Sequence, residues 1–180
     1  LGRCLALQIR SSLRYSTSRY ASPGANRRRA RTPEPENRPV AETLACRIEH
    51  WAQTRPDQAA YLGGSQPLTW SEYDAASSRL AEFLVEGLKL ERGERVALVL
   101  PDGPGVHIAL VACEKAGLVA AGIGPRAGRR EIEHLLRVTG ARALLSRPVH
   151  QGLVMADLVA ELRASGQPVA HHLAVEGELR

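Results

Sequence analysis

The spacing of apolar residues changes along the chain, and the change marks out its elements. From residue 95 onward, short aliphatic runs alternate with stretches in which apolar residues recur every three or four positions. The runs at 95–100, 118–123 and 142–145 predict strands, and 168–175 predicts a last one. Between them, helices are predicted at 104–116 (Val106, Ala109, Leu110, Cys113 and Ala116 on one side), at 129–139 (Ile132, Leu135, Leu136 inward) and at 153–164. Strands that are aliphatic throughout are buried on both faces. That pattern predicts an α/β fold, a mainly parallel sheet with helices packed on it.

The stretch upstream reads differently. Leu44, Ile48 and Trp51 share one face of a helix expected over 41–54, which Pro56 ends. Two short segments, 59–62 and 68–70, flank Gly63-Gly64-Ser65-Gln66-Pro67 and predict a hairpin. Thr69 or Ser71 can cap the next helix, with Glu72 or Asp74 as the reciprocal partner. That helix carries the stripe Tyr73, Ala76, Leu80, Phe83, Leu84 and Leu88, and is expected to run to about Leu88, before a turn at Arg92-Gly93-Glu94.

Charge divides the chain in two. The formal net charge is +5, yet residues 1–33 hold eight arginines (Arg3, Arg10, Arg14, Arg19, Arg27, Arg28, Arg29, Arg31) and no acid. The rest holds 19 acidic against 16 basic side chains, a net of −3. A nucleic-acid partner is therefore not expected, because the basic charge lies outside the region that can build a core. Residues 1–39 are expected to be a disordered arginine-rich tail, and residues 40–180 the folded part. The tail's composition also suits an organellar transit peptide or an anionic-surface patch. Its boundary is the proline-rich stretch ending at Pro39. The chain begins with Leu1, so its first residue is not expected to be the natural start.

No apolar stretch approaches the roughly 18 residues that a membrane-spanning helix needs, so no membrane span is expected. Aromatic residues are two Trp, four Tyr and one Phe, so the core must be aliphatic. The three cysteines Cys4, Cys46 and Cys113 have neither disulfide-framework nor zinc-site spacing, which points to a reduced, cytoplasmic setting with no metal site. Cys113, on an apolar helix face, is expected in the core.

The turn Pro101-Asp102-Gly103-Pro104-Gly105 follows a strand and opens a helix, the layout of a phosphate-binding loop. Its residues do not support that chemistry. A dinucleotide fingerprint needs Gly or Ala where Ile108 stands, and Pro104 has no N–H to offer phosphate. Pro104 instead suits the first position of a helix. No Walker-type loop, G-x-S-x-G or H-E-x-x-H occurs. His171 and His172 are neighbours on an expected strand and point to opposite faces, so they do not converge on one metal. His107 and His134 are isolated, and Glu131 and Glu133 are not on one helical face.

Five landmarks in order carry a resemblance. The run Leu68-Thr69-Trp70-Ser71-Glu72-Tyr73-Asp74-Ala75-Ala76 resembles the opening of AMP-forming acyl-CoA synthetases, members of the adenylate-forming enzymes. Gly93-Glu94-Arg95-Val96-Ala97-Leu98-Val99-Leu100-Pro101 is similar to their G-D-x-V strand, and Ala109-Leu110-Val111-Ala112-Cys113-Glu114-Lys115-Ala116-Gly117 to their A-x-x-A-x-x-K-A-G helix. Gly124-Pro125-Arg126 resembles their N-P-R step, and residues 131–146 the helix and strand that follow.

The resemblance covers roughly residues 41–175. It implies a truncated N-terminal part of an AMP-binding domain of layered α/β architecture. The whole enzyme would activate a fatty or aryl carboxylic acid with ATP and Mg²⁺ as an acyl-adenylate, release pyrophosphate and pass the acyl group to CoA. It also implies that Arg126 contacts the nucleotide part of CoA. The family's Ser/Thr/Gly-rich loop ending in Pro-Lys-Gly, its Y-G-x-T-E and T-G-D motifs and its C-terminal lysine do not occur. The chain alone is thus expected to be inactive and to bind no cofactor, with no catalytic residue of its own. Two other readings stand beside it: a non-catalytic α/β interaction module derived from that family, and a small NADP-type binding protein.

Overall fold

The computed structural model describes residues 43–62, 67–177 and 179. The tail expected at 1–39, the first residues of the helix expected from 41 and the hairpin loop at 63–66 lie outside the described residues.

Thr43 opens the first helix, α1 (Leu44–Thr54), by accepting from the Cys46 N–H. Strands β1 (Ala59–Tyr61) and β2 (Leu68–Thr69) pair antiparallel. Helix α2 (Trp70–Glu82) begins on a complete capping box: Thr69 accepts from the Glu72 N–H while Glu72 accepts from the Thr69 N–H at 2.9 Å. The helix then widens into a π-helical turn, Phe83–Gly87. A Cβ at residue 87 would fall 2.8 Å from the Phe83 ring, so glycine is what lets this ring fold back over the turn.

Four parallel strands follow, β3 (Arg95–Val99), β4 (Val119–Gly122), β5 (Ala143–Ser146) and, last in the chain, β8 (His171–Ala174). They lie in the order β4-β3-β5-β8. Helix α3 (Pro104–Ala116) links β3 to β4, and α4 (Arg129–Thr139) links β4 to β5. Pro104 stands at the first turn of α3, and Gly117 closes that helix in the left-handed conformation at φ 70°. Between β5 and β8 lie a short hairpin, β6 (Val149–His150) with β7 (Leu153–Val154), and helix α5 (Met155–Ala164).

Strand alternation sorts the core into layers. Val96, Leu98 and Leu100 with Ala143 and Leu145 meet Ala109, Ala112, Cys113 and Ala116 of α3 and Leu84 of the π turn on one face. Ala97, Val99 and Leu144 meet Ile132 and Leu136 of α4 and Met155, Leu158, Val159 and Leu162 of α5 on the other. A third cluster ties α1 and α2 to the outer side of α3 through Ile48, Tyr73, Ile108 and Val111. Burying a Leu or Ile side chain contributes about 1.5–3 kcal/mol, so β3, buried from Val96 to Leu100, is the centre of the fold.

Cys113 is buried, as its place on an apolar face predicted. β3, β4 and β8 are shorter than their apolar runs by up to three residues at an end, β5 is shifted by one residue, and the hairpin β6–β7 takes the first two residues of the helix expected from 153. Its turn residues Gln151 and Gly152 both have positive φ, 49° and 80°. Gln is an unusual occupant of such a turn, which hid the hairpin in the sequence.

Candidate functional site

In an open parallel sheet, ligands bind beyond the carboxyl ends of the strands where the strand order reverses. Here successive strands run first to one side of β3, at β4, and then to the other, at β5. A cleft of about 130 Å³ opens at that point. It is lined by the turn after β3 (Leu100, Pro101, Asp102, Pro104, Gly105, Val106), by Arg147 after β5, and by Val175, Gly177 and Leu179 after β8.

Chemically the cleft does not suit a phosphate. Pro104 removes one N–H at the helix start, and the exposed Asp102 carboxylate adds repulsion. Arg147, which could answer an anion, donates to the Val175 carbonyl at 3.2 Å and to the Gly177 carbonyl. Its guanidinium holds the closing segment in place instead.

Arg126 lies elsewhere at the same end of the sheet, in the loop after β4. Ala127 donates to the Gly124 carbonyl at 2.9 Å and closes a turn around it. Two groups from the β6–β7 hairpin brace that turn. The buried His150 ring donates from Nε2 to the Ala127 carbonyl at 2.9 Å, and Gln151 donates from Nε2 to the Pro125 carbonyl at 3.2 Å. The Arg126 side chain is exposed and makes no hydrogen bond or ion pair among the described residues. It is held out on a firm base, and no other expected site residue stands with it.

Ser146 and His172 meet on neighbouring strands, with 2.9 Å between Oγ and Nε2. The pair does not work as nucleophile and base. Ser146 gives its single hydroxyl proton to the Arg147 carbonyl at 2.9 Å, so the His172 ring must be the donor to Oγ. Burial, and next the nearby Arg163 charge, push His172 below its ordinary value, which favours this neutral donor form. Among the described residues, no group of three or more His, Cys, Asp or Glu is placed to hold a metal ion.

A polar feature the sequence reasoning passed over is Lys115. It lies on the apolar face of α3, in register with Ile108 and Val111, and only 7% of it is exposed. Its ammonium donates to Asp74 Oδ1 at 2.7 Å, the Asp74 carbonyl at 3.0 Å, and Ser77 Oγ and Ser78 Oγ at 2.8 Å each. Its neighbour Glu114 accepts from the Ala45 N–H at 2.8 Å, at the start of α1. Glu114 and Lys115 therefore fasten α3 to both α1 and α2. The signal was present in the sequence, a cation within an apolar helical stripe.

The K-A-G step that joins α3 to β4 is thus a set of packing requirements: a caged lysine, a buried alanine and a left-handed glycine. The family model for AMP-binding enzymes matches residues 48–178, from α1 past β8. The chain belongs to the AMP-binding enzyme family. Among its relatives is a long-chain-fatty-acid–CoA ligase of Salmonella typhimurium, 32% identical over 67% of this chain and 21% of that enzyme. A feruloyl-CoA synthase of an Amycolatopsis species is 34% identical over 63% of this chain and 22% of that enzyme. In architecture the chain is similar to a fatty acyl-CoA synthetase of Mycobacterium tuberculosis, at a TM-score of 0.61 and 21% identity, over 73% of this chain and 26% of that one. The chain spans about a fifth of the length of the curated relatives it matches.

Proposed function

We propose that this chain is the N-terminal part of an AMP-forming acid–thiol ligase. The whole enzyme activates a carboxylic acid, fatty or aryl, with ATP and Mg²⁺ as the acyl-adenylate and transfers the acyl group to CoA in the cytoplasm. The observation that carries the reading is the family match across residues 48–178, with relatives that join acids to CoA.

In this reading the chain's own residues build the scaffold. Nucleotide triphosphate and Mg²⁺ need cationic and metal-ligating groups around the phosphates. The donor set at the switch point, with Pro104 and Asp102, does not fit them, so no step is assigned to it. The chain alone is inactive. Arg126, exposed on its braced turn, contacts the nucleotide part of CoA. Arg126→Ala in the full-length enzyme is expected to raise the KM for CoA about tenfold, the loss of one charge-assisted contact. An unchanged KM would remove Arg126 from the site.

The switch-point donor set also favours a second reading, a non-catalytic interaction module of the same descent. Carboxylate-dependent exchange of pyrophosphate into ATP by the full-length protein separates the two, because only the ligase catalyses it.

A further inference from the structure

We propose that the outer face of α4 docks on an anionic lipid surface. Arg130, His134 and Arg137 fall within about 60° of one another around the helix. All three are exposed, and none has a hydrogen bond or ion pair among the described residues. The acids that would neutralise them are engaged elsewhere. Glu133 pairs with Arg129 at 2.8 Å, and Arg129 also takes Glu161 from α5. The remaining acid of α4, Glu131, lies about 100° from Arg130 and about 120° from Arg137 around the helix, on the His134 side.

Exposed aliphatic groups lie on the same helix and on the hairpin bonded to the turn that precedes it. Val138, next on the helix, is 68% exposed. Val149 and Val154 face each other across the β6–β7 hairpin, 55% and 49% exposed. That hairpin is pinned to the Arg126 turn by His150 and Gln151. Cations beside exposed aliphatic groups suit the boundary between headgroups and acyl chains. From Arg130 to Arg137 the helix advances about 10 Å, more than one phosphate covers and a fair match to several headgroups. Single-stranded nucleic acid fits less well, because no aromatic ring is interleaved with these cations. The inference does not depend on the ligase reading, since it concerns other residues and no catalytic step.

The test is cosedimentation of the full chain with vesicles of phosphatidylcholine, with and without phosphatidylglycerol. The arginines of residues 1–33 contribute equally in every variant, so the comparison isolates α4. Arg130→Gln/Arg137→Gln is expected to weaken binding to the anionic vesicles roughly 25-fold, about fivefold per arginine, and Arg130→Lys/Arg137→Lys to restore it. Unchanged melting of both variants keeps the comparison to the surface. Three results would overturn the proposal. The wild-type chain ignores anionic vesicles, or the double Gln variant binds as the wild type does, or inorganic phosphate displaces the chain further than chloride at equal ionic strength. If the substitutions abolish binding to an oligonucleotide and leave vesicle binding intact, the face belongs to nucleic acid instead.

Discussion

The Lys115 ammonium sits 2.7 Å from the Asp74 carboxylate, across the interface of α3 and α2, with two serine hydroxyls and a carbonyl completing its cage. The partners are unequally buried, at 7% exposure for the lysine and 29% for the aspartate. The consequences of breaking the pair are therefore unequal. Asp74→Ala leaves a buried ammonium without its counter-charge and is expected to cost about 3 kcal/mol. Lys115→Met leaves a carboxylate that can reach water and keeps the stem's packing, and is expected to cost about 1–2 kcal/mol. Urea denaturation of the two variants gives the order. Equal losses would mean that the cage does not discriminate between the partners.

At the π turn, Gly87→Ala puts a methyl 2.8 Å from the Phe83 ring. The variant is expected to lose roughly 1 kcal/mol as the ring is displaced. In a Phe83→Ala background the same change is expected to stabilise by a few tenths of a kcal/mol, because Ala is the better helix former. The sign reversal is the readout. A loss of the same size in both backgrounds would locate the strain in the backbone.

His172 titrates below 6.5 in the folded protein because burial, and then Arg163, disfavour its charged form. In the unfolded chain it takes a proton near its ordinary value. Between the two values the unfolded state binds more protons, so stability rises with pH through that window and falls as pH drops below about 6.5. His172→Gln, which keeps a donor for Ser146, is expected to flatten that part of the stability profile. A variant with the full wild-type slope would assign the slope to other groups.

Burial pushes the Cys113 thiol up to about 12, and it packs inside the core between α3 and the sheet. Iodoacetamide at neutral pH is expected to label the part-exposed Cys46 and to spare Cys113 until the chain unfolds. Peptide mapping by mass spectrometry reports both sites. Labelling of Cys113 under native conditions would mean that α3 lifts from the sheet.

The alternation of aliphatic runs with 3.6-residue stripes made the layered α/β core legible, because burial on both faces keeps β3 and β5 apolar except at their ends, Arg95 and Ser146. Spacing offered Thr69 or Ser71 as the cap, with Glu72 or Asp74 as partner, and the fold takes Thr69 with Glu72. The β6–β7 hairpin was hidden, since Gln151 at positive φ lacks the usual turn residue. Lys115 was hidden for a different reason. Its cage comes from residues some 40 positions away, at Asp74, Ser77 and Ser78, and periodicity sees only near neighbours. Pro104 and Ile108 make the glycine turn at 101–105 unsuited to phosphate on sequence grounds. Its position at the switch point depends on strand order, which local pattern does not carry. For Arg126 the sequence supplied a resemblance, and the bracing by His150 and Gln151 became visible only in three dimensions.

The central claim is that this chain is the scaffold part of an acid-activating ligase and depends on other segments for the nucleotide. The most direct measurement replaces the matching stretch of the Salmonella typhimurium long-chain ligase with residues 43–177 and follows carboxylate-dependent exchange of pyrophosphate into ATP, beside the 180-residue chain alone. The account expects exchange by the chimera and none above blank by the chain. Exchange by the chain alone, or a folded chimera that forms no adenylate, would contradict it.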